Sequence, residues 1–161
     1  MQLGMIGLGK MGANMTTRLM RGGHDLVVYD RSAEAVQTAS DDGARGASSV
    51  ADLVGQLAAP RAVWVMVPSG SSTEETVESL AGLLSPGDIV VDGGNSNYKE
   101  SVRRGESLKN SGLHFVDVGT SGGVWGLKEG YSLMIGGADE PVKRLKPLFE
   151  TLAPAADEGW G

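Results

Sequence analysis

The stretch Met5-Ile6-Gly7-Leu8-Gly9-Lys10-Met11-Gly12 decides the fold. An apolar run from Leu3 to Ile6 leads straight into three glycines spaced G-x-G-x-x-G. Met11, Met15 and Leu19 then recur four residues apart, as on one face of a helix. Strand, tight turn, helix is the context in which this spacing means dinucleotide binding. Each glycine has its own physical task. Gly7 allows the sharp turn out of the strand, Gly9 lets a pyrophosphate approach a backbone without a Cβ, and Gly12 lets the helix pack closely on the strand. The helix N-terminus would offer free N–H groups and a partial positive charge to the phosphates. The bland alternative is a glycine-rich turn that binds nothing.

Arg21-Gly22-Gly23 stops this helix, and Asp25 to Tyr29 reads as a second buried strand ending in Asp30-Arg31-Ser32. Asp30 lies 18 residues past Gly12, close to the spacing of the acid that binds an adenosine ribose. A carboxylate there accepts hydrogen bonds from the ribose hydroxyls and repels the extra phosphate of NADP, which favours NAD. Arg31 pulls the other way, since a guanidinium beside the ribose could bind that phosphate or stack on adenine. The bland role for Asp30 is a helix N-cap, but Ser32 is better placed for it.

Outward from this unit the alternation of strands and helices continues. Ala33 to Ser40 reads as a short helix, and Ser48-Ser49 introduces another. Ala62 to Val67 is an apolar run of strand length with Trp64 in the core, typical of a strand covered on both faces. Pro68-Ser69-Gly70 follows at its C-terminal end, where ligand crevices of parallel sheets lie; it either touches a ligand or caps the helix from Thr73 to Leu84. Ile89 to Val91 is a further strand, ending in Asp92-Gly93-Gly94-Asn95-Ser96, which is poor core material and reads as a site loop. Ser96 or Asn97 could instead merely cap the next helix, Tyr98 to Asn110, which reads as charged and mostly solvated. The strand His114 to Val118 opens into Gly119-Thr120-Ser121-Gly122-Gly123-Val124-Trp125-Gly126, either an anion-binding loop or a plain crossover. Tyr131 to Ile135 follows too closely for a βαβ crossover, so it should run antiparallel to its neighbour. Asp139 is expected to cap a last helix, with Pro147 kinking or restarting it, and the tail from Ala156 to Gly161 shows no closing element. His24 and His114 stand at strand starts and read as surface residues.

Composition bounds the function. The 161 residues fit one domain. A net charge of −6, no basic block and 5% aromatic residues argue against a nucleic-acid surface. Without cysteine there are no disulfides and no thiolate metal sites, which fits a cytoplasmic protein. No signal peptide is evident, and no apolar run approaches the ~20 residues of a membrane span. The whole pattern predicts a Rossmann-like, doubly wound α/β domain with about six parallel strands and one or two antiparallel additions at an edge.

Three loops then stand together. Gly7-Leu8-Gly9-Lys10-Met11-Gly12, Asp92-Gly93-Gly94-Asn95-Ser96 and Ser121-Gly122-Gly123-Val124-Trp125-Gly126 resemble those of 6-phosphogluconate dehydrogenase (decarboxylating), most closely its shorter, NAD-preferring branch. The resemblance runs along the whole chain, and Asn95-Ser96 is its most diagnostic part. The sister 3-hydroxyisobutyrate-type dehydrogenases carry an Asp-x-Ser-Thr type segment in place of Gly94-Asn95-Ser96.

The resemblance implies a role for each loop. Gly7 and the run Leu8, Gly9, Lys10, Met11 and Gly12 would hold the cofactor's pyrophosphate, and Asp30 and Arg31 its adenosine ribose. Val67, Pro68 and Ser69 would lie along the cofactor, where the NADP-using branch often has Val-Lys-Ala. Asn95 would touch both nicotinamide and substrate, and Ser121, Gly122 and Gly123 would bind the sugar acid's carboxylate and hydroxyls. The implied reaction is oxidative decarboxylation of 6-phosphogluconate, a sugar acid phosphate, to ribulose 5-phosphate with NAD, or with NADP as the alternative. The family's lysine base and glutamate acid fall in a Gly-His-x-x-Lys-Met-x-x-Asn segment and the helix after it, which this sequence does not contain. The all-helical domain that supplies the phosphate site and the dimer interface is absent too. The expectation is a cofactor-binding domain over residues 1–161 that carries no catalytic acid or base and no metal ligands. The rival readings are a 3-hydroxy acid dehydrogenase and a non-catalytic nucleotide-sensing module.

Overall fold

The computed structural model describes residues 1–155. Seven strands form one sheet: β1 (Gln2–Ile6), β2 (Asp25–Tyr29), β3 (Arg45–Gly46), β4 (Ala62–Val65), β5 (Ile89–Asp92), β6 (His114–Ser121) and β7 (Ser132–Gly137). Their order across the sheet is β3-β2-β1-β4-β5-β6-β7; the first six pair in parallel and β7 pairs antiparallel with β6. This is the expected doubly wound architecture with a single antiparallel edge strand.

Alternation along each strand builds two cores. Leu3, Met5, Leu26, Val28, Trp64, Val91 and Val116 point to one face. There they meet Met15 and Leu19 of α1 (Lys10–Arg21) and Leu145, Leu148 and Leu152 of α7 (Asp139–Leu152). Trp64 stacks edge-on against Phe149, with ring centroids 6.1 Å apart. Ile6, Val27, Val63, Val65 and Val90 point to the other face. That face is covered by α3 (Val50–Gln56), α4 (Ser71–Leu83) and α5 (Tyr98–Asn110). Gly4 belongs to this second face, and a Cβ there would stand 2.7 Å from Leu53 Cδ2, so its glycine lets α3 close on the sheet. Burial on both faces explains why these strands read as continuous apolar runs. No helix among the described residues is long and apolar enough to cross a membrane.

Several local expectations are corrected. The sixth parallel strand is Arg45–Gly46, two exposed residues after α2 (Ala33–Asp41) with no apolar pattern to mark them. Strand β6 runs on to Ser121, and a 3-10 turn (Gly123–Trp125) and a short helix α6 (Gly126–Glu129) occupy what read as open loop. Asp139 is the first residue of α7, with Ala138 at the cap position. Pro147 does not restart α7: the helix passes through it, with apolar residues on both sides held in the core. The expectation for residues 156–161 lies outside the described residues.

Candidate functional site

The strand order reverses at β1, between β2 and β4, and the C-terminal ends of these strands open a crevice there. Gly7 leaves β1 with φ +99°, and its N–H donates to Tyr29 O at 2.9 Å. A Cβ on Gly7 would overlap the Met66 carbonyl, and one on Gly12 would overlap the Gly7 carbonyl. The fold itself therefore demands both glycines. Gly9 differs: its φ is −60°, open to any residue, and nothing in the described chain lies within 4 Å of where a Cβ would stand. Gly9 is the N-cap of α1 without a side-chain cap, and the first intrahelical bond is Ala13 N to Gly9 O at 2.9 Å. The amides of Lys10, Met11 and Gly12 thus begin the helix without intrahelical acceptors, and its first turn carries no acidic residue. The turn thus presents free helix-start amides beside a glycine that the described fold does not itself require.

Asp30 closes the turn from the side. Its Oδ2 accepts the Leu8 N–H at 2.7 Å and its Oδ1 accepts the Ser32 N–H at 2.8 Å. Leu8's backbone donor is thereby turned to Asp30, while the half-buried carboxylate keeps lone pairs facing the crevice. Ser32 takes the N-cap of α2, accepting from Ala35 N, which leaves Asp30 free of that duty. A cavity of about 390 Å³ adjoins, lined by Gly7, Asp30, Arg31, Val67, Pro68 and Thr76 among others, a size suited to a small-molecule moiety. Arg31 reaches over its mouth to Glu75 at 3.6 Å, an exposed pair that holds the guanidinium only weakly. Ser69 faces away from this cavity into a second one, which it shares with Ser96 and Arg104.

The other two loops meet at the ends of β5 and β6. Asn95 stands in the left-handed region, φ +55°, and its Oδ1 accepts the Thr120 N–H at 3.3 Å, close beside Gly119. Asn97, not Ser96, caps α5, accepting from Lys99 N at 3.0 Å. Ser121 ends β6 in an exposed position, and Gly122 and Gly123 follow it. Cβ atoms on Gly122 and Gly126 would run into the ring of the fully buried Tyr131. Arg18 of α1 ties this region to the glycine helix: it donates to Leu127 O at 3.2 Å, Thr151 O at 2.8 Å and Ala153 O at 2.9 Å. The structure thus gathers Gly7, Asp30, Arg31, Val67 and Pro68 around one cavity, ties the following turn to it through the Leu8 N–H on Asp30, and joins Asn95 to the β6 end that carries Ser121.

Sequence reasoning missed the polar cluster beneath Asn95. Arg104 is only 3% exposed, and its Nε donates to Glu74 Oε2 at 2.8 Å. Asp92 is fully buried and accepts from Ser96 Oγ at 2.6 Å and Gly94 N at 2.9 Å. Hydrogen bonds from Arg103 and Arg104 hold the Glu74 carboxyl below its usual range. Burial, and then Asp92 nearby, push the Asp117 carboxyl up. The available signal was spacing: Ser101, Arg104 and Leu108 recur at helical intervals on one face, and all three are buried.

The histidines lie elsewhere. His24 is held between the N-terminus and Thr151, with its pKa lowered chiefly by burial, and His114 pairs with Glu140 at 3.3 Å. Both stand at strand starts, on the rim opposite the crevice.

Comparisons with known proteins give the family. A family model described as the NAD binding domain of 6-phosphogluconate dehydrogenase matches residues 2–159. The NAD(+)-dependent, decarboxylating 6-phosphogluconate dehydrogenase of Haloferax volcanii is 46% identical over 157 residues, covering 98% of this chain and 52% of that protein. The NADP(+)-dependent, decarboxylating enzyme of Bacillus subtilis is 38% identical over 160 residues, covering 97% of this chain and 34% of its own length. The solved 6-phosphogluconate dehydrogenase of Plasmodium falciparum superposes with a TM-score of 0.89 at 28% identity, over 99% of this chain and 35% of that one. The chain spans about half the length of the first relative and about a third of the other two. From its glycine turn to its antiparallel edge strand, the chain belongs to the family of 6-phosphogluconate dehydrogenase NAD-binding domains.

Proposed function

We propose that the chain is the cofactor-binding half of an NAD-dependent, decarboxylating 6-phosphogluconate dehydrogenase. Gly9 carries this reading. Neither its backbone angles nor any described neighbour calls for a glycine, whereas a pyrophosphate lying on the α1 amides does. The amides of Lys10, Met11 and Gly12 hold that pyrophosphate, and Asp30 accepts the ribose hydroxyls. Arg31, Val67 and Pro68 flank the adenosine, while Ser69 opens on the neighbouring cavity with Ser96 and Arg104 and stands apart from that stretch. NAD, when bound, supplies the acceptor for a hydride from an alcohol carbon.

The substrate side rests on Asn95, which reaches both nicotinamide and sugar acid, and on Ser121, Gly122 and Gly123 for the carboxylate and hydroxyls. Asn95-Ser96 favours phosphogluconate over the 3-hydroxy acids of the sister family. Removing a proton from an alcohol needs a base of suitable pKa within hydrogen-bond reach. Neither histidine faces the crevice, Lys10 belongs to the anion cradle, and Lys99 and Lys128 are exposed beside the substrate loops. This chain therefore binds and orients, and the base, the phosphate site and the oligomer interface belong to a further helical domain of a cytoplasmic parent enzyme. Calorimetric titration with NAD, and NADH production from 6-phosphogluconate on the same sample, test the reading. NAD binding without turnover is expected. A folded sample that binds no NAD would refute the cofactor site, and turnover would refute the missing base.

A further inference from the structure

The cluster under Asn95 joins three elements through one guanidinium. Arg104 enters from α5, where Nε donates to Glu74 Oε2 of α4 at 2.8 Å. Its Nη1 donates to Ser96 Oγ at 3.2 Å and reaches Asp92 Oδ2, at the end of β5, at 3.4 Å. Asp92 in turn accepts the Ser96 hydroxyl and the Gly94 amide. The residues on both sides of Asn95 are thus bonded to the same carboxylate, and that carboxylate is fully buried. Asp117 stands beside it in the β5–β6 register, so two acids adjoin and Arg104 is the cation set against them. A buried carboxylate without a counter-charge or hydrogen bonds is costly, so the arrangement is stable only with the guanidinium in place.

Asn95 is the one described non-glycine residue with positive φ, a conformation that persists where the surroundings fix it. Only its side chain extends beyond the cluster, to the Thr120 N–H. Among the described residues Arg104 bonds to Glu74, Asp92 and Ser96, and Glu74 links it to α4, whose N-terminal end carries the Pro68-Ser69-Gly70 loop.

We propose that Arg104 is a positioning residue that holds the Gly94-Asn95-Ser96 loop so that Asn95 presents its amide to the nicotinamide end of the cofactor and to substrate. The assignment of Asn95 to that end rests on the function proposed above; the hold of Arg104 on Asn95 does not. The test uses the chain with Arg104→Lys and Arg104→Met and two readouts. Amide hydrogen exchange at Thr120 reports the Asn95 bond without any cofactor, with the Gly7 amide, bonded to Tyr29 O, as internal reference. Calorimetry compares NAD with ADP-ribose, which shares every part of NAD except the nicotinamide.

Arg104→Met should speed exchange at Thr120 at least about tenfold, leave Gly7 unchanged, and weaken NAD about fivefold, the loss of one hydrogen bond, with ADP-ribose unaffected. Arg104→Lys, which keeps the charge but not the fork, should recover part of both. Unchanged Thr120 exchange and NAD affinity would overturn the proposal. So would equal losses for NAD and ADP-ribose together with faster exchange at Gly7, because Arg104 would then support the fold at large. If Arg104→Met does not fold, Ser96→Ala removes the hydroxyl that bridges Arg104 and Asp92 and must give the same split. A wild-type chain that binds neither NAD nor ADP-ribose would overturn the cofactor reading, while Thr120 exchange would still decide whether Arg104 holds Asn95.

Discussion

Replacing Gly9 by alanine adds one methyl group where nothing in the described chain lies within 4 Å. The backbone there, φ −60° and ψ −177°, accepts alanine without strain. Two small effects on stability oppose each other. Alanine narrows the unfolded ensemble, a gain of about 0.4–1 kcal/mol, but it is a poorer N-cap than glycine by a similar amount. The net change is close to zero, and the melting temperature should move by no more than about 2 °C. Binding should respond quite differently. A methyl group between the pyrophosphate and the backbone breaks roughly two charge-assisted hydrogen bonds to the α1 amides, each worth about 1.5 kcal/mol. The combined loss of about 3 kcal/mol weakens NAD about 100-fold. Scanning calorimetry and NAD titration on one preparation measure both quantities, and Gly9→Val should abolish binding altogether. Gly12→Ala is the opposite control: its Cβ would overlap the Gly7 carbonyl, so it should lose the fold along with the cofactor. Gly9→Ala binding NAD with wild-type affinity would refute the reasoning, because the turn would then be structural only.

Asp30→Ala removes the acceptor for the Leu8 and Ser32 amides and the charge set against a 2′-phosphate, so the proposed preference for NAD over NADP should shrink by about tenfold; an unchanged ratio in parallel titrations would mean that Arg31 governs the pocket. For Asp88, burial alone would raise the carboxyl, but the Arg61 and Ser85 amides and the Arg61 guanidinium bring it below its usual range. A carboxyl depressed in the folded state stabilises above the unfolded pKa of about 3.9, and that contribution is lost as pH falls through the folded value. Asp88→Asn should therefore cost about 2 kcal/mol at pH 7, with the gap in melting temperature narrowing below about pH 4; an equal gap at pH 3 and pH 7 would count against it. Gly126→Ala drives a Cβ into the buried Tyr131 ring and should cost about 1–3 kcal/mol, read by denaturant titration, where an unchanged midpoint would show that the ring can move aside.

The central strands were legible because a parallel sheet buried on both faces leaves no polar alternation, so Val63-Trp64-Val65 and Ile89-Val90-Val91 announce themselves as apolar runs. The glycine turn was legible because its spacing is a backbone requirement, and Gly7 and Gly12 meet it in the fold. Other features depend on partners far along the chain. Arg45–Gly46 is a strand only because β2 offers it an edge. Arg104 looked solvated because a charge on a helix usually is; its burial depends on Asp92, 12 residues earlier, and Glu74, 30 residues earlier. A proline inside a helix pattern reads as a kink or a restart, but Leu145, Leu148, Phe149 and Leu152 anchor α7 to the sheet on both sides of Pro147, and the helix runs through it. That burial outweighs one missing N–H.

Two aspartates show why position along a strand does not by itself fix a role. Asp30 follows β2 and Asp92 ends β5, so both stand on the same rim of the sheet, next to a glycine-rich turn. Their surroundings divide them. Asp30 is half exposed, spends one bond per oxygen on backbone amides, and among the described residues has no cation within salt-bridge distance, so it can still accept from a ligand. Asp92 is fully buried, and its oxygens are met by an amide, a hydroxyl and a guanidinium, so it has little left to offer a ligand and serves the shape of a loop instead. The difference traces to α5 and α4, which bring Arg104 and Glu74 under one strand end and nothing comparable under the other. Asp92 is committed to the loop by the cation buried beside it, whereas Asp30 keeps acceptor capacity, and in this fold that difference is made by helices packed on the sheet's second face.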